Sequence, residues 1–315
     1  MKKLTIIITA LFLVFGLSIS AQDLNDAGKA YNEGIAFAKE NKTMEAITAY
    51  QECADISREL GDVGEGLKVK AETQISSLYL KLGLDSYKAK EYDTAISLFA
   101  LSSEYAKKVN KPKSAAKAKN YIAATYTAKG NGMIKDKNYE GALADFTKAL
   151  EYNPKYFKAF YGMAICYNKQ DESQLMEDAV NKVVALGGDD KVVAKAQTLA
   201  ANHYLNLSGT CIQKESFEEA SMMAKKCIEY NAGEGTAYYY LALSNNNLGN
   251  YDQAIAAIQT GMKAEEDKSN LYFELGRAHE GKGETQKACE AYQNVSSGPN
   301  VDAANYQRTT VLNCN

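Results

Sequence analysis

The sequence has no tryptophan, only three prolines and only two histidines in 315 residues. Each proline removes a helix donor, so a chain interrupted only at Pro112, Pro154 and Pro299 can run as helix over long stretches. An all-β chain would carry more turn residues and β-branched runs. The scarcity of histidine restricts metal and acid–base chemistry to His203 and His279. His279-Glu280 lacks a second histidine one turn later, so the zinc-protease helix motif is absent. His203 has no Cys or carboxylate at a metal-ligand spacing. No glycine-rich phosphate loop occurs, and the reading calls for no cofactor and no metal. A basic tract is also missing: 36 Lys and Arg face 39 Asp and Glu, for a net charge of -3. Nucleic-acid or anionic-membrane binding needs a positive footprint, which this pattern does not supply. These absences point away from an enzyme.

At the N-terminus, Lys2 and Lys3 precede an almost wholly apolar run, Leu4 to Leu17, followed by small residues at Ser18, Ser20 and Ala21. That layout predicts a secretory signal peptide over 1–21, cleaved after Ser20 or Ala21. The apolar run is short of the roughly 20 residues a membrane span needs. No cysteine lies near the cleavage site, which argues against a lipid anchor. The expected location is periplasmic or secreted, with no stable membrane insertion after cleavage. Loss of Lys2 and Lys3 would take the net charge from -3 to -5.

The rest of the chain repeats itself. Phe217-Glu218-Glu219-Ala220, Tyr251-Asp252-Gln253-Ala254 and Thr285-Gln286-Lys287-Ala288 place their alanines 34 residues apart. The same signature occurs at Tyr139 to Ala142, Tyr92 to Ala95 and Thr43 to Ala46. Twelve residues before each alanine stands a small residue: Gly34, Gly83, Gly130, Ser208, Ala242 and Gly276. Four residues after it stand Tyr50, Phe99, Phe146, Ala224, Ile258 and Tyr292. Small residues let two helices approach, and the later side chain fills the space between hairpins. Two helices of about four turns and a short link use about 34 residues, and neither can bury its apolar stripe alone.

With these residues in place the chain resembles the tetratricopeptide repeat family. The clearest copy has Gly130, Tyr139, Ala142, Phe146, Ala149-Leu150 and Pro154. The resemblance implies an all-α fold, an α-α superhelix of about seven helical hairpins plus a C-terminal capping helix near Val301 to Leu312. The spacings of 49 and 47 residues between Ala46, Ala95 and Ala142 predict longer hairpins in the first third. Between 142 and 220 one degenerate unit is expected, centred on Ala179, with three extra residues near Asp171-Glu172-Ser173. Gly187-Gly188 should end its second helix, and Asp189-Asp190 should cap the next. The organisation read from the sequence is a leader at 1–21, long hairpins at 22–122, one repeat and a degenerate one at 123–200, three regular repeats at 201–298 and a cap at 299–315.

The family binds extended peptides or partner helices along its first helices. By register, the groove residues implied here are Tyr31, Tyr87, Asn131, Lys135, Tyr161, Asn168, Tyr239, Asn246, Phe273 and Arg277. Aromatic rings interleaved with Asn, Lys and Arg offer apolar contact and hydrogen bonds. The alternative for each Tyr is simple inter-hairpin filling. His279 is read as a packed or groove-edge residue. The Lys-Asn clamp by which some relatives hold a chain terminus is incomplete: Asn131 matches its Asn, but Thr127 stands for the Lys, and Tyr161 and Ile165 do not complete it. Six cysteines allow 15 full pairings. Cys289 with Cys314 would tie the last repeat to the cap; Cys211 with Cys227 is a second candidate, while Cys53 and Cys227 also suit small buried apolar slots. The expected function is a non-catalytic protein-binding scaffold or adaptor in a bacterial cell envelope. The alternative is a glycan or small-ligand module with a Tyr-lined groove.

Overall fold

The structure, a computed structural model, describes residues 23–264 and 267–314. The leader expected over 1–21 lies outside the described residues. Every element among them is helical. The chain divides into two compact units, Met1–Gly162 and Met163–Asn315.

The first unit contains α1 (23–39), α2 (Thr43–Glu59), α3 (Glu65–Lys88), α4 (Tyr92–Lys108), α5 (Pro112–Lys135) and α6 (Tyr139–Tyr152). The boundary falls within α7 (Phe157–Lys169). The second unit continues with α8 (Ser173–Ala185), α9 (Asp190–Gln213), α10 (Phe217–Tyr230), α11 (Gly235–Asn247), α12 (Tyr251–Gly261), α13 (Ser269–Gly281), α14 (Thr285–Gln293) and α15 (Val301–Tyr306). A π-helical turn, Gln307–Val311, follows. The described helices form seven antiparallel hairpins and a terminal cap, the number the repeat pattern implies. The long spacings arise from helix length: α3 and α5 have 24 residues and α2 and α4 have 17, against 13 or 14 for α6 and α7.

The small residue and the ring sixteen positions later form one recurring contact. A Cβ added to Gly34 would lie 2.7 Å from the Tyr50 ring, and one on Gly83 2.6 Å from Phe99. Gly130 stands in the same relation to Phe146 at 2.9 Å, and Gly276 to Tyr292 at 2.5 Å. Glycine is needed at these four places because the ring occupies the volume of its missing side chain. Where the later residue is smaller, the earlier one is larger: Ser208 precedes Ala224, and Ala242 precedes Ile258. All these side chains are buried.

Turn geometry corrects the reading of the degenerate unit. The residue five positions before each signature alanine takes a left-handed conformation: Asn41, Lys90, Lys137, Glu215, Gly249 and Gly283, with φ between 58° and 75°. Amides beyond these residues close the helix end, as Lys42 N–H does on Phe37 O (2.9 Å) and Glu91 N–H on Ser86 O (2.9 Å). In the degenerate unit this residue is Asp171, φ 59°, which assigns the alanine's slot to Met176. Met176 is fully buried whereas Ala179 is 6% exposed. Met176 lies 34 residues after Ala142, so Asp171-Glu172-Ser173 is the ordinary turn and not an insertion. A flexible thioether can fill a slot built for a smaller residue. The extra length before Ala220 belongs to α9, with 24 residues. At its start Asp189 accepts a hydrogen bond from Lys191 N–H at 2.9 Å, and Gly187 has φ 58°.

Sulfur chemistry is divided. Cys289 and Cys314 are joined as a disulfide, with Cα atoms 5.8 Å apart. Cys211 and Cys227, a candidate pair from sequence, are free thiols. Cys227 is fully buried in the core, whereas Cys211 is partly exposed beside Glu219 (Sγ to Oε2 3.8 Å). Burial pushes the Cys166 and Cys227 thiols up to about 11. Cys53 is also free and buried.

Candidate functional site

In the second unit the first helices lie side by side: α11 packs against both α9 and α13. The second helices back them. Side chains that leave a first helix away from its partner therefore share one surface. On it a cleft of about 430 Å³ is lined by Asn246, Tyr251, Phe273, Arg277, Glu280, Gly281, Tyr292 and Gln307.

Two lining residues, Asn246 and Arg277, are joined through a buried carboxylate. Glu274, 2% exposed, accepts from Arg277 Nη1 at both carboxylate oxygens, 3.2 and 3.0 Å. Asn246 Nδ2 donates to Glu274 Oε2 at 2.7 Å and to its carbonyl oxygen at 2.9 Å. Burial raises the Glu274 carboxyl above its ordinary range, with Arg277 and Asn246 pulling the other way. Arg277 Nη2 reaches Asn247 Oδ1 at 3.3 Å. Breaking such a pair leaves an uncompensated charge, so the network fixes how α11 and α13 sit together. The walls are aromatic. Phe273 and Tyr292 rings are 5.7 Å apart, and Tyr292 OH donates to Glu280 Oε2 at 2.7 Å. The Tyr251 ring lies against Gly281, where a Cβ would meet it at 2.2 Å. Gln307 enters from the π-helical turn of the cap, which the Cys289–Cys314 bond holds to α14.

Three residues chosen from the repeat register, Asn246, Phe273 and Arg277, thus share this cleft. Tyr239 lines a smaller one of about 140 Å³ with Thr236, Asp267, Asn270 and Leu271. Burial raises the Tyr239 hydroxyl above its usual value. Asn168 is engaged elsewhere. Its Oδ1 is 2.8 Å from His203 Nδ1, and His203 Nε2 is 2.7 Å from Ser173 Oγ. This chain links α7, α8 and α9; desolvation lowers the His203 pKa, which favours the neutral imidazole. His279 contacts Glu284 Oε2 at 2.6 Å and is 13% exposed, a packed residue.

None of the first-unit candidates lines the 290 Å³ cleft of that unit. Tyr31 packs on Tyr50, ring centroids 5.3 Å apart, against the α1–α3 core. Tyr87 lies 6.1 Å from Tyr92, beside the Phe99 core. Asn131 and Lys135 are exposed on the last turns of α5, and Tyr161 is half-buried on α7. Thr127 is buried and its hydroxyl donates to Ala123 O at 2.8 Å, within its own helix. The 290 Å³ cleft of this unit is lined instead by Thr73, Ser76, Ser102, Lys111 and Lys117, among others.

Sequence reasoning missed Glu274, Glu280, Tyr251 and Gln307. Glu274 and Glu280 looked like ordinary solvated carboxylates on a helix face. Tyr251 carried the repeat signature, which hid a second role. Gln307 had no repeat register to place it.

Residues 241–300, which hold most of this cleft, match the tetratricopeptide repeat family. No curated protein sequence matches. Among solved structures, the chain is similar to YrrB, described as a TPR protein with an unusual peptide-binding site, at 18% identity, covering 61% of this chain and 89% of that one with a TM-score of 0.36. PilF of Pseudomonas aeruginosa is similar at 17% identity, covering 61% and 85%, TM-score 0.33. The TPR2AB domain of yeast Sti1, in a pHSP90 complex, is similar at 17% identity, covering 91% and 96%, TM-score 0.34. No described helix is long and apolar enough to cross a membrane.

Proposed function

We propose that this protein is a non-catalytic scaffold that holds a protein or peptide partner on the surface of α9, α11 and α13, and that it does so outside the cytoplasm, in a bacterial cell envelope or as a secreted protein. One observation carries the binding reading: an open cleft lined by aromatic rings and by Asn246 and Arg277, which Glu274 holds in place. Rigid aromatics offer contact area at low entropic cost, and preorganised polar groups lower the cost of ordering the site. The leader-like Lys2 to Ala21 segment supports the location. A second reading, a glycan site, draws on the Tyr239 cleft, where a ring stands beside Thr236 and Asn270.

The test is a cross-linked pull-down from the source cell's envelope fraction, run with the native chain and with a Tyr239→Ala, Phe273→Ala double variant. The expected result is one stoichiometric partner, lost by about tenfold or more in the variant while helicity is unchanged. A partner retained by the variant removes the surface assignment. Sugar binding without any protein partner favours the second reading.

A further inference from the structure

Two buried acceptors on residues lining the 430 Å³ cleft have no donor among the described residues. Asn246 is 6% exposed, and both neighbours of its Nδ2, Glu274 O and Oε2, are acceptors. That fixes the amide orientation and leaves Asn246 Oδ1 without a donor among the described residues. Gln307 Oε1, on the π-helical turn of the cap, also has no partner among the described residues. Buried acceptors without donors are costly, and a native structure that keeps two beside one cleft calls for a ligand that donates. Glu280 accepts from Tyr292 OH through Oε2; among the described residues its Oε1 receives no hydrogen bond. The one cation in the lining, Arg277, is held by both oxygens of Glu274. The charge left over in the cleft is therefore that of Glu280, negative.

We propose that this cleft binds a primary ammonium group on an aliphatic stem, as a partner's lysine presents it. An ammonium has three donors and no acceptor, which matches Asn246 Oδ1, Gln307 Oε1 and Glu280. Its stem would lie against Phe273 and Tyr251, and aromatic faces attract cations. The preference is opposite in charge to that of the carboxylate clamp, for which Thr127 lacks the cation. The inference rests on the scaffold reading for the source of the lysine, and the cleft chemistry is shared by free alkylamines.

The experiment follows the side-chain amide NMR signals of Asn246 and Gln307 in the full chain during titration with N-acetyl-lysine methylamide, n-butylammonium and N-acetyl-norleucine methylamide. The expected result is that the lysine amide and butylammonium shift both signals and norleucine does not. Asn246→Leu and, separately, Glu280→Gln should each weaken lysine-amide binding about tenfold; the second substitution is nearly isosteric and guards against a folding defect in the first. Equal binding of the norleucine amide, or no shift with either amine at saturating concentration, overturns the proposal. Butylammonium binding alone would show that the site takes free amines and reject the lysine source. Should the amines fail while the pull-down partner still depends on Tyr239 and Phe273, the ammonium inference falls and the scaffold stands. Amine binding without any partner reverses that outcome.

Discussion

Two glycines on α5, two residues apart, should respond to alanine with opposite signs. Gly132 is exposed and a Cβ there would have nothing within 4 Å. Gly132→Ala should stabilise the helix by about 0.5–1 kcal/mol, since alanine has less backbone freedom to lose. At Gly130 the same gain is opposed. The new Cβ would lie 2.9 Å from Phe146 Cε1 and 3.2 Å from Ala142 O, which is backbone. Phe146 cannot retreat, because its ring already occupies the space where Gly162 lacks a side chain (2.3 Å). Overpacking of this kind costs about 1–3 kcal/mol, so Gly130→Ala should be destabilising by about 1–2 kcal/mol net. Shortening the ring relieves it: in a Phe146→Leu background the alanine should cost less, with a coupling of about 0.5–2 kcal/mol. Repeat arrays need not unfold in one step, so the readout is native-state hydrogen exchange of the α5 and α6 amides. Equal and same-signed effects at 130 and 132, or no coupling to Phe146, would refute the ring-on-glycine account of the repeat.

Other tests are simpler. Reducing Cys289–Cys314 opens a loop of 25 residues, for which chain entropy gives about 3.5 kcal/mol; exchange protection of Val301–Tyr306 should fall while that of α9 holds, and a cap that stays protected contradicts the tethering role. Lys137 sits at φ 58°, where a side chain costs about 1 kcal/mol, so Lys137→Gly should raise the local stability of the α5–α6 hairpin; a loss would show that the lysine side chain matters more than its backbone. Desolvation lowers the His203 pKa, so the unfolded chain takes up that proton first as pH falls. Stability from this residue is complete above the unfolded value of about 6.5 and is lost as pH drops below it toward the lowered native value. His203→Gln should flatten that part of the stability–pH curve, and an unchanged slope would mean that other groups set it.

The hairpin pattern was legible because close packing leaves marks in composition: a glycine and a ring sixteen residues apart cannot easily be anything else. The turns left no such mark. Lys90, Lys137 and Glu215 hold backbone conformations usually given to glycine, and only Gly249 and Gly283 advertise them. For that reason the register of the degenerate unit was misread, with Ala179 taken for the slot that Met176 fills. The site was half visible. Asn246, Phe273 and Arg277 follow from register alone, but burial of Glu274 depends on Arg277 reaching it across one helical turn. The approach of Gln307 depends on a cap outside the repeat. Tyr31 and Tyr87, from the same register, pack on neighbouring tyrosines.

The ring-on-glycine contact also bears on how the chain acquires its structure. Its two halves lie on adjacent helices, sixteen residues apart across one turn, so a hairpin can form it before any distant segment arrives. Contacts this close in sequence carry little loop-closure entropy, and topologies rich in them fold fast. Each hairpin with its own glycine and ring is a potential starting point, from which order can spread to its neighbours. The hairpins holding Ser208–Ala224 and Ala242–Ile258 lack the large ring, and their order would then come from neighbours already folded. A Tyr292→Ala substitution should accordingly slow refolding of the second unit more than an equally destabilising change at Ile258.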